Sequence, residues 1–271
     1  KDENLLDFWK YEFAKAGDYQ KVKMISPITN KIGRFLFSPT AKRILEQKKS
    51  TINFDQIMNN GKILLCNVSK GKIGEDNSEV FGVVIMAKIQ LAALKRARMA
   101  MKDRRDFYLY VDEFQNFATP AFAQILSEAR KYKLGAILAH QTTSQIEDKS
   151  LINITLANTG TVICFRTANP EDEKLILPQF QPYVEKGEIA SLPSFRFYMR
   201  LGALNPEEPF SGKTMLTTIS EDRSRVDEVV KSSREKYAIK YVEKKQEQYR
   251  DKYVAKKKVY KSKRKSGNIL P

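Results

Sequence analysis

Two adjacent carboxylates, Asp112 and Glu113, and one amide, Gln141, are the residues of this chain best placed to do chemistry. The acids close an apolar run, Phe107 to Val111, that is aromatic or β-branched apart from Leu109. Its weak alternation predicts a central strand of a parallel sheet, buried on both faces. Open α/β sheets bind ligands outside the carboxyl ends of their strands, which is where the acid pair stands.

The amide arrives one unit later. Thr119 and Pro120 precede Phe122, Ile125, Leu126 and Ala129 at helical spacing, with Pro120 suited to a first turn. A second apolar strand, Gly135 to Ala139, ends in His140 and Gln141. A strand–helix–strand unit brings its strands back in parallel, so Gln141 reaches the edge that carries the acids. An acid pair and an amide on consecutive strand ends have the form of the strand-end motif and sensor of a nucleotide-hydrolysing motor.

The surrounding elements extend this unit. Leu5, Leu6, Phe8, Trp9 and Phe13 form a helical stripe, and Ser38-Pro39-Thr40 opens a short helix over 41–47. The first sixty residues therefore read as an all-helical segment. After the Asn60-Gly61 turn, Ile63 to Val68 is the first predicted strand, and Ser78 to Met101 a long helix. Further strands are predicted at Thr161 to Phe165, ending in Arg166, and at Phe195 to Leu201; helices are predicted at Leu151 to Asn158 and Glu171 to Phe180. Strands alternating with helices argue for a parallel doubly wound α/β sheet. The implied organisation is a helical segment over 1–60, a sheet domain over 61–220 and a basic helical tail over 221–271.

Two stretches imitate a phosphate loop. Lys70-Gly71-Lys72-Ile73-Gly74 lacks the second half of G-x-x-x-x-G-K-[ST], and Phe210-Ser211-Gly212-Lys213-Thr214 has that half but Glu207 in place of the first glycine. Two prolines and two carboxylates precede the latter, where a buried strand should stand. Neither is read as a triphosphate cradle.

Of the net charge of +16, the tail from Lys231 to Pro271 carries +11, with 15 basic against 4 acidic residues. A polyanionic partner is implied, met through the tail. Tyr237, Tyr241, Tyr249, Tyr253 and Tyr260 share one helix face there. That stripe packs on the domain or belongs to a nucleic-acid arm whose phosphate contacts are Lys256, Lys257, Lys258, Lys261, Lys263, Arg264 and Lys265. Cys66 and Cys164 sit in apolar runs and read as buried hydrophobes of a reducing, cytoplasmic compartment. A single histidine makes a His-based metal site improbable, and no apolar run approaches the roughly 18 residues of a membrane span.

With these residues in hand, the chain resembles the TraG-like coupling ATPases of type IV secretion, the conjugative DNA pumps of the FtsK/HerA superfamily. The likeness covers about residues 2–241 and is most specific in NGKILLCNVSKGKIGEDN from Asn60, DFYLYVDEFQNFAT, ILSEARKYKLGAILAHQ and ANTGTVICFRTANPEDE. The resemblance implies a RecA-like P-loop core in a homo-hexamer, with ATP and Mg²⁺ as cofactors. It implies that Asp112 holds Mg²⁺ through water, Glu113 polarises the attacking water and Gln141 senses the γ-phosphate. Arg130 matches the position proposed as an arginine finger, and Arg166 is a second candidate. DNA is the implied substrate, with a relaxase and secretion-channel proteins as partners. In the family the phosphate loop lies upstream, on the strand at the centre of the sheet, and any membrane anchor is also upstream. The expectation is therefore the carboxyl-terminal part of a longer ATPase, inactive by itself. The alternatives are a HerA-like DNA-processing motor without a secretion role and a non-catalytic nucleic-acid-binding module.

Overall fold

Phe107–Val111 forms strand β1 and Leu134–Leu138 forms β2, and the two pair in parallel with Phe107 opposite Leu134 and Val111 opposite Leu138. The computed structural model describes residues 3–36, 38–146, 148–202 and 207–240. The chain forms two units, 1–221 and 222–271.

In the first unit, the helices before β1 are α1 (Glu3–Asp7), α2 (Asp18–Leu36), α3 (Pro39–Leu45), α4 (Phe54–Asn59), α5 (Lys70–Ile73) and α6 (Glu75–Lys95), with a π-helical turn at Phe8–Phe13. Ser38 and Asn53 start α3 and α4 by accepting the Ala41 and Gln56 N–H groups, as N-cap residues do. Glu75 and Asp76 lie in the first turn of α6, at the positive end of its dipole. Met86, Ile89 and Ala93 of α6 join the main core with Val111 of β1 and Leu134 of β2, and Phe107, Leu109 and Leu138 pack against it. Gly82 brings α6 close to the following loop: a β-carbon there would run into the Phe117 ring.

Between β1 and β2 runs α7 (Pro120–Glu128), capped by Thr119, which accepts from Phe122 N, with Pro120 in its first turn as predicted. Phe122 and Ile125 enter the same core. After β2 come α8 (Lys149–Ala157), β3 (Thr161–Phe165), α9 (Pro170–Ile176), β4 (Arg196–Leu201) and β5 (Phe210–Lys213). The last three strands form a separate antiparallel sheet in the order β3-β4-β5, backed by Val162, Cys164, Leu177, Phe180, Val184 and Ile189.

Several sequence expectations are corrected here. The fold is α/β with parallel pairing, but among the described residues that pairing is confined to β1 and β2. Ile63–Val68 forms no strand, and Ile63 and Leu65 are 88% and 80% exposed. A strand exists only through a neighbour that takes up its backbone groups, and 63–68 pairs with no strand among the described residues. β1 is covered on one face only, since Tyr108 and Tyr110 point outward and are 62% and 74% exposed. β3 does not extend the parallel sheet, because β4 returns beside it and pairs Phe197 with Phe165. Cys66 is exposed, whereas Cys164 is buried as expected, its thiol pushed up to about 11 by burial and by the Asp172 and Glu173 carboxylates.

Both loop mimics resolve as ordinary structure. Phe210–Lys213 is a strand, and Gly212 is needed because the Phe197 ring fills the place of its side chain. Lys70–Ile73 is a single helical turn. In the second unit, α10 (Arg223–Tyr237) is capped by Asp222 and buries none of its residues. Tyr241, Tyr249, Tyr253 and Tyr260, and the basic residues from Lys256 to Lys265, lie outside the described residues. Among the described residues, no helix is long and apolar enough to cross a membrane.

Candidate functional site

β1 hands the chain directly to the acid pair. Ala139 N donates to Val111 O at 2.9 Å and Phe114 N donates to Ala139 O at 2.9 Å, so the acid turn is tied to the end of β2 on both sides of Asp112 and Glu113. Phe114 and Phe117 anchor the turn from below, 4% and 8% exposed, and the Phe114 ring packs on Phe122 with centroids 5.2 Å apart. Between these anchors Glu113 adopts a left-handed conformation, φ 49° and ψ 47°. Such a conformation costs a residue with a β-carbon on the order of 1 kcal/mol, and it concentrates at working sites.

The strained turn presents Glu113 to two amides. Gln141 Nε2 donates to Glu113 Oε1 at 2.5 Å, and Gln115 Nε2 donates to Glu113 Oε2. Asp112 is exposed and accepts the Glu113 N–H at 3.0 Å through Oδ1. The structure thus brings together Asp112, Glu113 and Gln141, as the strand order predicts. The geometry fixes one carboxylate between two donors and leaves its neighbour open to solvent, an arrangement able to orient a water molecule beside a hydrated cation. Among the described residues no cluster of three or more His, Cys, Asp or Glu could enclose a metal. Mg²⁺ does not need one, because it keeps several waters and takes one or two carboxylates plus substrate phosphates.

Neither candidate arginine takes part in the hydrogen bonds of this centre. Arg130 lies exposed on the 3₁₀ turn Ala129–Tyr132, and Arg166 is exposed just after β3. The turn under Arg130 is firmly held. Buried Arg96 donates to Met58 O and Tyr132 O, each at 2.8 Å, and to Asn59 Oδ1 at 2.9 Å, while Arg104 donates to Lys131 O. Burial lowers the Arg96 pKa first, and the Arg104 charge adds to the effect.

Three site residues escaped the sequence reading. Gln115 is visible only once the residues after Glu113 are known to form a 3₁₀ turn. Asp172 is 6% exposed and accepts from Thr143 N at 2.9 Å and from the Thr143 hydroxyl. Nothing local in the sequence joins residues 29 positions apart. Loss of water around part of its ring lowers the His140 pKa, while Asp172 and Glu113 act in the opposite direction.

Residues 106–176 match the family described as the TraM recognition site of TraD and TraG. Over this stretch the chain is similar to that family. The matched segment contains Asp112, Glu113, Gln141, Thr143 and Asp172, so the whole constellation falls inside it. The structure is similar to that of the bacterial conjugative coupling protein TrwBdeltaN70 in its unbound monoclinic form, with a TM-score of 0.56 and 15% identity. That likeness covers 81% of this chain and 57% of the other, so the chain spans little more than half of its neighbour's length. No curated protein matches the chain in sequence.

Proposed function

We propose that the chain supplies the water-orienting and sensing residues of an ATP-driven DNA motor of the coupling-protein kind. The observation that carries this is the hydrogen bond from Gln141 to Glu113, which joins the ends of two parallel strands at one carboxylate. Glu113 orients and polarises the attacking water, and Gln141 reports the state of the γ-phosphate through that shared carboxylate. Asp112, exposed beside them, holds Mg²⁺ through water. When bound, Mg²⁺ neutralises charge on the phosphates of ATP. Arg130, on its clamped turn, reaches the nucleotide of the adjacent subunit of a homo-hexamer, with Arg166 the alternative.

A RecA-like core needs a strand with the phosphate loop at the centre of its sheet, and this fold leaves room for one. β2 pairs only with β1, and β3 only with β4, so each has an edge without a partner among the described residues. A parallel sheet is covered on both faces, and the open face of Tyr108, Tyr110 and Ile137 calls for the layer that such an addition brings. On this reading the chain acts as part of a larger ATPase at the cytoplasmic face of the membrane.

DNA is the substrate, met in part by the basic residues from Lys256 to Lys265. The description of the matched family adds a protein partner of the TraM kind, recruited through residues 106–176, alongside a relaxase and channel proteins. Glu113→Gln in the complete protein tests the reading. ATP hydrolysis is expected to stop while DNA binding persists; hydrolysis at the unchanged rate would remove Glu113 from the mechanism. Deleting 256–271 is expected to flatten the salt dependence of DNA binding, since for each tenfold rise in salt log K falls by about 0.9 per phosphate neutralised on duplex DNA.

A further inference from the structure

α9 begins with two adjacent buried acids, and each holds a different loop. Asp172 accepts from the backbone N–H and the hydroxyl of Thr143, and Glu173, 7% exposed, accepts from Gly187 N at 2.6 Å. An acid in the first turn of a helix is favoured by the dipole, and Asn169 already caps α9 by accepting from Glu171 N. Neither benefit requires a buried carboxylate pointed at a loop from another part of the fold. Burying a charge is costly unless hydrogen bonds compensate it, and Asp172 receives two, both from Thr143.

Thr143 opens the 3₁₀ turn Thr143–Gln145, two residues after Gln141. Thr142 caps that turn by accepting from Ser144 N, and Gln141 is the residue immediately before this cap. Three contacts then run in series: Asp172 to Thr143, the turn back to Gln141, and Gln141 to Glu113. We infer that Asp172 is the positioning residue of the site: α9 holds the Gln141 loop through it, and so sets the amide against the Glu113 carboxylate. This deepens the proposed hydrolytic reading, but the placement of Gln141 stands apart from any activity.

The test has two readouts for that reason. In the chain itself, the side-chain amide signals of Gln141 in NMR spectra report its bond to Glu113. Asp172→Ala is expected to move them to the position seen in Glu113→Ala. Glu173→Gln, a neighbouring change on the same helix that leaves Thr143 untouched, is expected to leave them in place. Should Asp172→Ala fail to fold, Thr143→Val removes the hydroxyl bond from the other side, and Thr143→Ser restores it. Gln141 signals unmoved in folded Asp172→Ala, or in Thr143→Val, would overturn the inference.

In the complete ATPase, Asp172→Ala is expected to lower kcat about tenfold or more, the usual scale for a group that orients a site residue, with KM for ATP unchanged. In a Gln141→Ala background it is expected to add nothing, because one contact cannot be lost twice. Full additivity would reduce Asp172 to a structural acid. Hydrolysis indifferent to Glu113→Gln, with Gln141 signals that still depend on Asp172, would instead reject the hydrolytic reading and leave the positioning role intact.

Discussion

The two sheets of the first unit differ in strand direction, and only one gathers the candidate site residues. β1 and β2 run the same way, so their carboxyl ends coincide and Glu113 meets Gln141. β3, β4 and β5 alternate, so Phe165 at the end of β3 faces Phe197 near the start of β4, and Arg196 faces Lys213 at the end of β5. Arg166 therefore leaves the sheet beside the beginning of one strand and the end of another. A motif has meaning only on a strand whose direction delivers it. Gly212-Lys213-Thr214 spells half a phosphate loop and is spent on cross-strand packing with Phe197.

Activity offers the largest contrast. On the proposed reading, Glu113→Ala in the complete protein is expected to reduce ATP turnover about a hundredfold or more, the scale of a lost general base. Lys213→Ala is expected to change it by less than about twofold, and a large loss there would return the β5 sequence to candidacy as a nucleotide site.

Stability separates the two sheets next. Arg96→Met leaves the Met58 and Tyr132 carbonyls of the parallel half without their donor, and is expected to cost about 3 kcal/mol in urea unfolding. The Arg200 side chain, in β4, donates to Gln179 Oε1 and its Nε has no partner among the described residues, so Arg200→Met is expected to cost about 1 kcal/mol. Equal losses would mean that the parallel half is not the tighter of the two.

Glycine substitutions refine the same point. Gly82→Ala presses on the buried Phe117 ring and is expected to cost about 1–3 kcal/mol. Gly212→Ala, on the edge strand β5, meets a Phe197 ring that is only half-buried and can shift, and is expected to cost less. The smallest effect has the opposite sign. Glu113→Gly relieves the left-handed backbone and is expected to stabilise the chain by about 1 kcal/mol while abolishing turnover. A loss of stability would show that the amides on Glu113 outweigh its strain.

The sequence made the parallel unit legible because its signals are local and redundant. An apolar strand, a capped helix with Pro120 at its start and a second strand fix their own connection, and Gln141 then has one edge to reach. Ile63–Val68 has equally good strand composition, but composition does not supply a neighbour, and the segment stays unpaired. Tyr108 and Tyr110 read as core residues because aromatic rings suit a buried strand, although their hydroxyls also let them face water. Asp172 was illegible for another reason. It carries the marks of an ordinary first-turn acid, and its partner Thr143 becomes a neighbour only after β3 and α9 are in place.

Among the described residues one edge each of β1, β2, β3 and β5 has no strand partner, which bears on how the chain behaves in the test tube. An open strand edge accepts any extended segment that reaches it, and the nearest supply in a concentrated solution is another copy of the same chain. Preparations of 1–271 alone should grow larger with concentration by strand addition, an assembly unrelated to a working ring. Short peptides able to occupy those edges should keep the chain monomeric.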